Sequence, residues 1–265
     1  MVARASGVWA RDKLFFLAKY MDIFATGMKF KWPHRVYVDL MAGPGRCRTR
    51  DTGEEFQGSP VLALQTKTPF AEVVLIESDQ EAFAALRARV KDADIGRTAT
   101  LIHGDCNEPA VIAHIRNHVG SGLGLLFVDL IGLDVRFETI RAITRGRHVD
   151  LIVTFPDMDV KRNADQADRD RWTAFFGGTR WQDAVARWQA HRAPEGSVPA
   201  MLVNLYRREL RDQLGYTHSA AVRPMVNSKR ATLYRPLFAS RDELGLKFWN
   251  RISQRDRNGQ GDLFV

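Results

Sequence analysis

Residues 36–45 read VYVDLMAGPG, an apolar run with one acid that leads into a Gly-Pro-Gly turn. The apolar run predicts a buried strand that ends near Asp39. Gly43 and Gly45 allow the backbone to turn tightly and to approach a ligand at the carboxyl end of a sheet. The stretch is not a P-loop, because no Gly-Lys-Ser or Gly-Lys-Thr follows, and it lacks the third glycine of a complete dinucleotide fingerprint.

Short apolar strands alternate with helices over the first 156 residues. The periodicity predicts strands at 36–41, 73–76, 98–102, 123–128 and 149–154, and helices at 12–28, 81–90, 109–119 and 136–144. A further helix opens at Ser59 and Pro60, with Ser59 as its N-cap and Pro60 at the first helical position. This alternation indicates a parallel sheet with helices on both faces.

The pattern changes after Pro156. Residues 157–197 are polar and aromatic, and they predict a helical insertion beside the functional edge of the sheet. A helix at 201–214, strands at 216–225 and 230–239 joined by a turn at 227–228, and a helix at 242–252 follow.

We therefore predict an α/β fold with a seven-stranded, mostly parallel sheet that has an antiparallel end and helices on both faces. S-adenosylmethionine-dependent methyltransferases build such a Rossmann-like sheet, although periodicity alone does not separate it from other doubly wound sheets. The predicted division is one methyltransferase-like domain over 1–265, with an N-terminal helix inside 1–33 and the insertion at 157–197.

Composition excludes several classes of protein. The chain has 265 residues, of which 45% are hydrophobic and 26% are charged, as in ordinary globular proteins. No apolar run approaches the ~18 residues of a membrane span, and the first twenty residues lack the pattern of a signal peptide. Cys47 and Cys106 cannot form a disulfide framework or a cysteine-rich zinc site, so we expect a cytoplasmic protein without a metal.

The charge indicates a polyanionic partner. The formal net charge is +8, and the basic residues cluster at 46–50, 145–147, 207–211 and 229–230. Such a surface attracts nucleic acid through long-range fields and counterion release. An ordinary solvated, arginine-rich surface is the alternative interpretation.

Acids follow the predicted strands where these end. Glu77 ends the second strand, where a carboxylate can bind a ribose diol, and Asp105 follows the third, where it can receive an amino group. Asp129 ends the fourth strand, where an acid can orient or deprotonate a nucleophile. Carboxylates that meet at one sheet edge need a partner with hydroxyls or amines. No cysteine follows the fourth or fifth strand, which argues against a cysteine-adduct mechanism.

Several segments resemble the three-Cys-motif partner family, which has a Rossmann-like methyltransferase fold and is named for a partner protein with a three-cysteine motif. The resemblance rests on residues 36–45, 53–60, 104–107, 127–132 and 229–234. It runs from the first helix to about Ser240 and fades in 157–197. One departure is Leu130, which stands where the family usually has a proline after the fourth-strand acid.

The resemblance implies S-adenosyl-L-methionine as the cofactor. We expect it to be bound by the residues of the glycine turn and of the acid-tipped strands: Asp39, Ala42, Gly43, Gly45, Glu77, Asp105, Cys106 and Asp129. It also implies a possible three-Cys-motif partner protein.

The expected substrate is nucleic acid, with RNA preferred over DNA. Arg46, Arg48 and Arg50 alternate in a predicted loop and would share one face. They either hold substrate phosphates, together with Arg162, or pair with the acids at 51, 54 and 55. Phe155 either stacks on a base or fills the core.

Ribose 2′-O transfer is preferred narrowly over base N-methylation, because Asp129 is not followed by the prolines and aromatic residue that would hold a flipped base. Transfer to a ribose hydroxyl would need a lysine near Asp129. The candidates are Lys29, Lys31, Lys161 and Lys229, of which Lys31 and Lys161 are predicted as catalytic with Asp129. The alternatives are a non-catalytic binding module that serves a partner protein and a methyltransferase of another substrate class.

Overall fold

A computed structural model describes residues 1–92, 99–130, 132–190, 197–227 and 231–253. Its strands are β1 (Arg4–Ser6), β2 (Arg35–Asp39), β3 (Arg46–Thr49), β4 (Glu55–Gln57), β5 (Glu72–Glu77), β6 (Ala99–His103), β7 (Leu123–Val128), β8 (His148–Phe155), β9 (His218–Ala221), β10 (Met225–Val226) and β11 (Thr232–Ser240).

The α-helices are α1 (Trp9–Met28), α2 (Ser59–Leu64), α3 (Gln80–Asp92), α4 (Pro109–Val119), α5 (Phe137–Thr144), α6 (Asp157–Asn163), α7 (Arg169–Phe176), α8 (Arg180–Gln189), α9 (Val198–Leu214) and α10 (Glu243–Ser253). A short 3₁₀ helix, Ala164–Gln166, follows α6.

The main sheet has the order β10-β11-β8-β7-β2-β5-β6, with β9 also paired to β11. Strands β6, β5, β2, β7 and β8 are parallel, whereas β11 is antiparallel to β8. The predicted α/β fold with a mostly parallel sheet and an antiparallel end is therefore confirmed. The predicted strand at 216–225 is divided into β9 and β10, which pair with different parts of β11.

Two hydrophobic cores lie on opposite faces of the sheet, because alternate residues of each buried strand point to opposite sides. In β7, Leu126 and Val128 belong to the core beneath α4, α5 and α9. Leu125 and Phe127 belong to the core beneath α1 and α10. Strands buried on both faces explain the near-continuous apolar runs in the sequence.

Helix α1 is set on the sheet by apolar residues spaced three or four positions apart, which form one buried face. These residues are Leu14, Leu17, Tyr20, Met21, Phe24 and Met28. In α2 the structure corrects one detail, because Gly58 holds the N-cap position and Ser59 is the first helical residue.

A second, three-stranded sheet contains the segment that the sequence analysis treated as a loop. Strands β3 and β4 form a hairpin, and β1 pairs in parallel with β3. Arg46 and Arg48 are exposed while Cys47 and Thr49 are buried, as the alternation within a strand requires. The hairpin therefore attaches the N-terminal segment beside the glycine turn.

Helices α6, α7 and α8 occupy residues 157–189, so the predicted helical character of this region is observed where the structure describes it. The last part of the predicted insertion, residues 191–196, lies outside the described residues. The division of the chain into a domain and an insertion stays a prediction. Within the described ranges no helix is both long and apolar enough to cross a membrane.

A buried carboxyl joins α1 to the sheet. The Tyr20 hydroxyl donates a 3.0 Å hydrogen bond to Oδ2 of Asp150 in β8. Burial raises the pKa of Asp150 to about 6. A carboxyl whose pKa is raised by folding makes the protein less stable as the pH rises from about 4 to 6, because the unfolded chain loses the proton first.

We predict that Asp150→Asn is more stable than the wild-type protein at pH 7.5, by about 2 kcal/mol, and close to it at pH 4.5. Urea unfolding at both pH values measures the difference. Asp183→Asn is the matched control, because Asp183 is exposed in the first turn of α8 and is not among the groups that shift the pKa of Asp150. An Asp150→Asn variant that is equally destabilised at both pH values would contradict this account.

Candidate active site

A cavity of about 1100 Å³ opens at the carboxyl ends of β2, β5 and β6. It is bordered by the glycine turn, by the residues that follow β5 and β6, and by α7. The N-terminal residues Val2, Ala3 and Arg4 form another part of its wall. The crevice at this edge is where ligands bind in open α/β sheets.

The glycine turn is fixed to the neighbouring strand by Glu77. The Gly43 N–H donates a 2.7 Å hydrogen bond to Oε2 of Glu77, and the Asp79 N–H donates to Oε1 at 2.8 Å. Gly43 has a φ of +66°, a backbone conformation that residues other than glycine rarely adopt. Glu77 thus faces the cavity with both oxygens already held in place and with lone pairs left for a ligand.

Asp79 caps the helix that follows β5. Its Oδ1 accepts a 2.7 Å hydrogen bond from the Ala82 N–H in the first turn of α3. This is an N-capping interaction, which stabilises the start of the helix. Asp79 also lines the cavity.

Asp105 and Cys106 line the cavity beyond the end of β6. Oδ1 of Asp105 accepts hydrogen bonds of 2.9 Å from both the backbone and the side-chain nitrogen of Asn107. The side chain of Asn107 reaches across to the start of α5, where its Oδ1 accepts from the Arg136 N–H and from the Thr139 hydroxyl. Burial raises the pKa of Cys106 to about 12, so its thiol is a poor nucleophile.

Asp39 is buried and does not line the cavity. Its carboxylate accepts hydrogen bonds from the Tyr37 hydroxyl at 3.2 Å and from the Met41 N–H at 3.3 Å. Burial raises its pKa to about 6. Asp39 therefore shapes the glycine turn from below, and it is not part of the cavity wall formed by the other predicted cofactor residues.

Ala42, Gly45 and Asp129 lie around a small recess beside the cavity, with Arg4 at the boundary between the two. The Ala42 N–H donates to the Ile76 carbonyl at 2.9 Å, which ties the turn to β5. Of the predicted cofactor residues, the structure brings Gly43, Glu77, Asp105 and Cys106 to the cavity wall.

Asp129 is held by two cations from the N-terminal segment. Lys13 Nζ in α1 donates to Oδ1 and Oδ2 of Asp129 at 2.7 and 2.6 Å. Arg4 Nη1 donates to Oδ2 at 3.3 Å. The Thr154 hydroxyl in β8 donates to Oδ1 at 3.1 Å, so both oxygens are fully occupied.

The ion pairs with Lys13 and Arg4 keep Asp129 ionised. Burial on its own would raise the pKa of Asp129, but the positive charges of Lys13 and Arg4 outweigh burial and hold the pKa below its ordinary value. Asp129 is therefore a carboxylate at neutral pH and a weak base.

Tyr234 in β11 completes the surroundings of the ammonium. Lys13 Nζ lies 5.4 Å from the centre of the Tyr234 ring, a cation–π contact. The Tyr234 hydroxyl donates to the Trp9 carbonyl at 3.0 Å. The tyrosine thus packs α1 against the antiparallel end of the sheet.

The Leu130 departure has a local explanation. The Leu130 N–H donates a 2.8 Å hydrogen bond to the Thr154 hydroxyl oxygen, whose hydrogen bonds to Asp129. A proline has no N–H and could not make this bond. Leucine at this position therefore ties the end of β7 to β8.

Lys13 and Arg4 are the residues that sequence reasoning missed. Lys13 and Asp129 are 116 positions apart, and no local pattern indicates such a pair. The one available signal was a charged residue placed among the apolar positions of α1, since Lys13 directly precedes the buried Leu14. Arg4 precedes α1 and belongs to a strand too short for its pattern to be recognised.

The predicted catalytic lysines are placed elsewhere. Lys31 is exposed beside Leu123 and His148, the first residues of β7 and β8. It lies at the opposite edge of the sheet from Asp129, and the prediction is wrong. Lys161 is exposed on α6 and does not line the cavity.

The other two candidate lysines do not join the site either. Lys29 follows α1, and its Nζ lies 4.9 Å from the centre of the Phe30 ring. Lys229 lies outside the described residues.

Phe155 fills the core. It is fully buried, and its ring centroid lies 5.9 Å from that of Tyr206 and 6.1 Å from that of Phe175. Of the two roles that the sequence allowed, the structure favours core packing over base stacking, because the ring is packed on aromatic residues of the insertion region and α9.

The predicted phosphate contacts are on the surface. Arg48 pairs with Glu55 at 2.7 Å, as the pairing alternative expected, while Glu54 pairs with Arg11 instead. Arg46 is exposed on the same face of the hairpin, at the rim of the recess that holds Asp129.

Arg50 and Arg162 are also exposed. Neither residue lines the main cavity. Among the residues that the structure describes, no group of three His, Cys, Asp or Glu side chains converges as a metal site would require.

Comparisons with known proteins establish the fold. The chain matches no protein-family model and no curated protein. Among solved structures it is similar to protein LPL1258 of Legionella pneumophila, with a TM-score of 0.51 and 11% identity over 93% of this chain and 94% of that one. At such identity the similarity confirms the α/β arrangement alone.

Two further solved structures have lower scores. Trm1 from Pyrococcus horikoshii, solved with S-adenosyl-L-methionine, gives a TM-score of 0.48 and 13% identity over 90% of this chain. The match covers 58% of the Trm1 chain, so this chain spans less than two thirds of its length. The O-methyltransferase from Bacillus cereus, solved with SAH, gives a TM-score of 0.46 and 10% identity over 84% of this chain and 80% of that one.

We predict that Lys13→Met lowers the free energy of unfolding by about 3 kcal/mol at pH 7, because it leaves the buried Asp129 carboxylate with a weaker partner. The loss should shrink as the pH falls, because Asp129 without Lys13 takes up a proton at a higher pH than in the wild type, where the pair holds its pKa below the ordinary value. Denaturant unfolding between pH 3.5 and 7 measures this.

Lys19→Met, on the exposed face of the same helix, is the matched control and should cost under about 0.5 kcal/mol. Equal effects of the two substitutions at pH 7 would mean that the Lys13–Asp129 pair is energetically unimportant.

Proposed function

We propose that the chain is an S-adenosyl-L-methionine-dependent methyltransferase that acts on RNA and transfers the methyl group to a ribose 2′-hydroxyl. The observation that carries the proposal is the buried Lys13–Asp129 pair beside a cavity walled by the glycine turn and by Glu77 and Asp105. The cavity of about 1100 Å³ is slightly larger than the roughly 300–1000 Å³ of typical small-molecule sites, so it has room for a cofactor of this size.

The cavity wall fits this cofactor by its chemistry. Glu77 offers carboxylate lone pairs to the two ribose hydroxyls, and Asp105 offers an acceptor to the adenine amino group. The glycine turn brings backbone close to the amino-acid part, and Arg4 offers a guanidinium to its carboxylate. The cofactor supplies an electrophilic methyl group on a sulfonium.

The reacting end of the site is assigned to Lys13. An ammonium has three N–H donors, and Asp129 accepts from Lys13 with both of its oxygens. A remaining donor can bind a substrate hydroxyl oxygen and stabilise the negative charge that it develops. Asp129 is a weak base, so we assign it to positioning Lys13 rather than to proton abstraction. The substrate hydroxyl gives its proton to solvent water as the methyl group is transferred to its oxygen.

RNA as the substrate is supported by charge. The net charge of +8 attracts a polyanion, and the exposed Arg46 and Arg48 stand on the hairpin next to the recess that holds Asp129. Ribose transfer fits better than base transfer because the predicted need for a lysine next to Asp129 is met by Lys13. The resemblance to the three-Cys-motif partner family adds a partner protein to the proposal.

For the cofactor, we predict that Glu77→Ala weakens S-adenosylmethionine binding by roughly 10- to 100-fold, the range for losing hydrogen bonds to a charged group. Isothermal titration calorimetry measures the affinity. Glu81→Ala is the control, because Glu81 lies in the first turn of α3 and does not line the cavity. If the wild-type protein shows no heat of binding, the chain is a non-catalytic module with this fold.

For the reaction, we predict that Lys13→Met lowers kcat by roughly 10²- to 10³-fold, as the loss of one charge-stabilising donor does in other enzymes. Its affinity for the cofactor should be unchanged. Lys161→Met is the matched control and should be as active as the wild type. Label from the cofactor should be recovered on the ribose after RNA digestion; label on a base would overturn the ribose assignment.

A further inference from the structure

The edge of the sheet opposite the candidate active site carries a second concentration of positive charge. The turn between α5 and β8 reads Arg145-Gly146-Arg147 and opens, with Arg241, onto a recess of about 620 Å³. No acidic residue is among its described lining residues, which are Arg141, Thr144, Arg145, Gly146, Arg147, His148, Gln213, Leu214 and Arg241.

Arg241 is held rigidly in this recess. Its Nε donates to the Leu214 carbonyl at 2.9 Å, and its Nη1 donates to the carbonyls of Arg147 and Thr144 at 2.8 and 3.3 Å. The guanidinium lies 4.4 Å from the centre of the Tyr216 ring. A cation fixed in this way loses little entropy when an anion binds to it.

Arg145 and Arg147 leave most of their donors for a ligand. Arg147 donates through Nε to the Arg116 carbonyl at 3.0 Å, which leaves its two terminal nitrogens. Arg145 is exposed. Arg141, by contrast, is already paired with Glu138 and Gln213. A planar guanidinium with free N–H groups matches the geometry of a phosphate.

An aromatic and basic loop continues this surface. Residues 29–32 read Lys-Phe-Lys-Trp, and His148 and Arg241 line both the arginine recess and the smaller recess that contains Lys31 and Trp32. The ring centroids of Trp32 and His148 are 4.8 Å apart. Phe30 is 89% exposed.

The carboxylates beside this loop are engaged in the fold. Asp150 accepts from the Tyr20 hydroxyl, and Asp242 accepts from the Leu244 N–H at the start of α10.

We propose that these residues form a second nucleic-acid-binding surface, the amino-edge surface, made of residues 29–32 with Arg145, Arg147, His148 and Arg241. The arginines bind phosphates of single-stranded RNA, and Phe30 and Trp32 stack on its bases. Cations combined with aromatic platforms are how proteins bind single strands without sequence preference. The inference rests on RNA as the proposed substrate, and it adds an anchoring site away from the cavity.

The test is equilibrium binding of a fluorescein-labelled single-stranded RNA to the full chain at several salt concentrations. The double variant Arg145→Ala/Arg147→Ala should bind about tenfold more weakly at 0.1 M salt, with a log–log salt slope smaller by about 1.4, since each single-strand phosphate contact contributes about 0.7. Phe30→Ala should weaken RNA binding by about fivefold or more. It should leave the salt slope unchanged, because stacking releases no counterions.

Arg187→Ala/Arg208→Ala is the charge-matched control, because both of these arginines are exposed on α8 and α9. It should keep the wild-type slope. The single variant Arg145→Ala tests the surface without disturbing the fold, because the Arg145 side chain makes no hydrogen bond within the described part of the chain. It should reduce the slope by about half as much as the double variant.

Three outcomes would overturn the proposal. The first is a double variant with the wild-type slope, and the second is a control that loses as much as the double variant. The third is a recess that binds inorganic phosphate while RNA affinity is insensitive to Arg145 and Arg147. Calorimetry with S-adenosylmethionine separates this failure from that of the proposed function, because cofactor binding at the opposite edge should be unchanged in every variant.

Discussion

The contact between Lys13 and Asp129 holds the functional edge of the molecule together. It joins the first helix to the end of β7 with donor–acceptor distances of 2.6 and 2.7 Å. Asp129 is buried, and the Lys13 side chain is only 13% exposed. A buried carboxylate without its partner would cost several kcal/mol. The N-terminal segment is therefore part of the site, and Arg4 extends the same contact to the wall of the cavity.

The features that sequence reasoning recovered depend on neighbours in the chain. Buried strands on both faces produce apolar runs, and a parallel sheet brings their carboxyl ends to one edge. For this reason the sequence alone places Glu77 and Asp105 beside the glycine turn, and both line the cavity. The strand predicted at 216–225 is divided into β9 and β10 because the two parts pair with different parts of β11. Local sequence patterns do not encode this pairing.

The features that sequence reasoning missed depend on contacts between residues far apart in the chain. Nothing near Lys13 indicates that it pairs with a residue 116 positions away. Lys31, which was predicted as a catalytic lysine, lies instead at the opposite edge of the sheet. Phe155 ends β8, where an aromatic residue could contact a ligand, but α7 and α9 bury it completely. Asp39 ends its strand like Glu77, yet Tyr37 and Met41 turn its carboxylate inward.

In the proposed function, the cavity binds S-adenosylmethionine with its reactive end at Lys13 and Asp129. A crystal structure of the protein with S-adenosylhomocysteine would show this arrangement. We expect Glu77 to bind the ribose hydroxyls, the adenine to lie beside Asp105, and the sulfur to lie at the end of the cavity nearest Asp129. A ligand bound at another place, or a cavity that stays empty at saturating ligand, would contradict it.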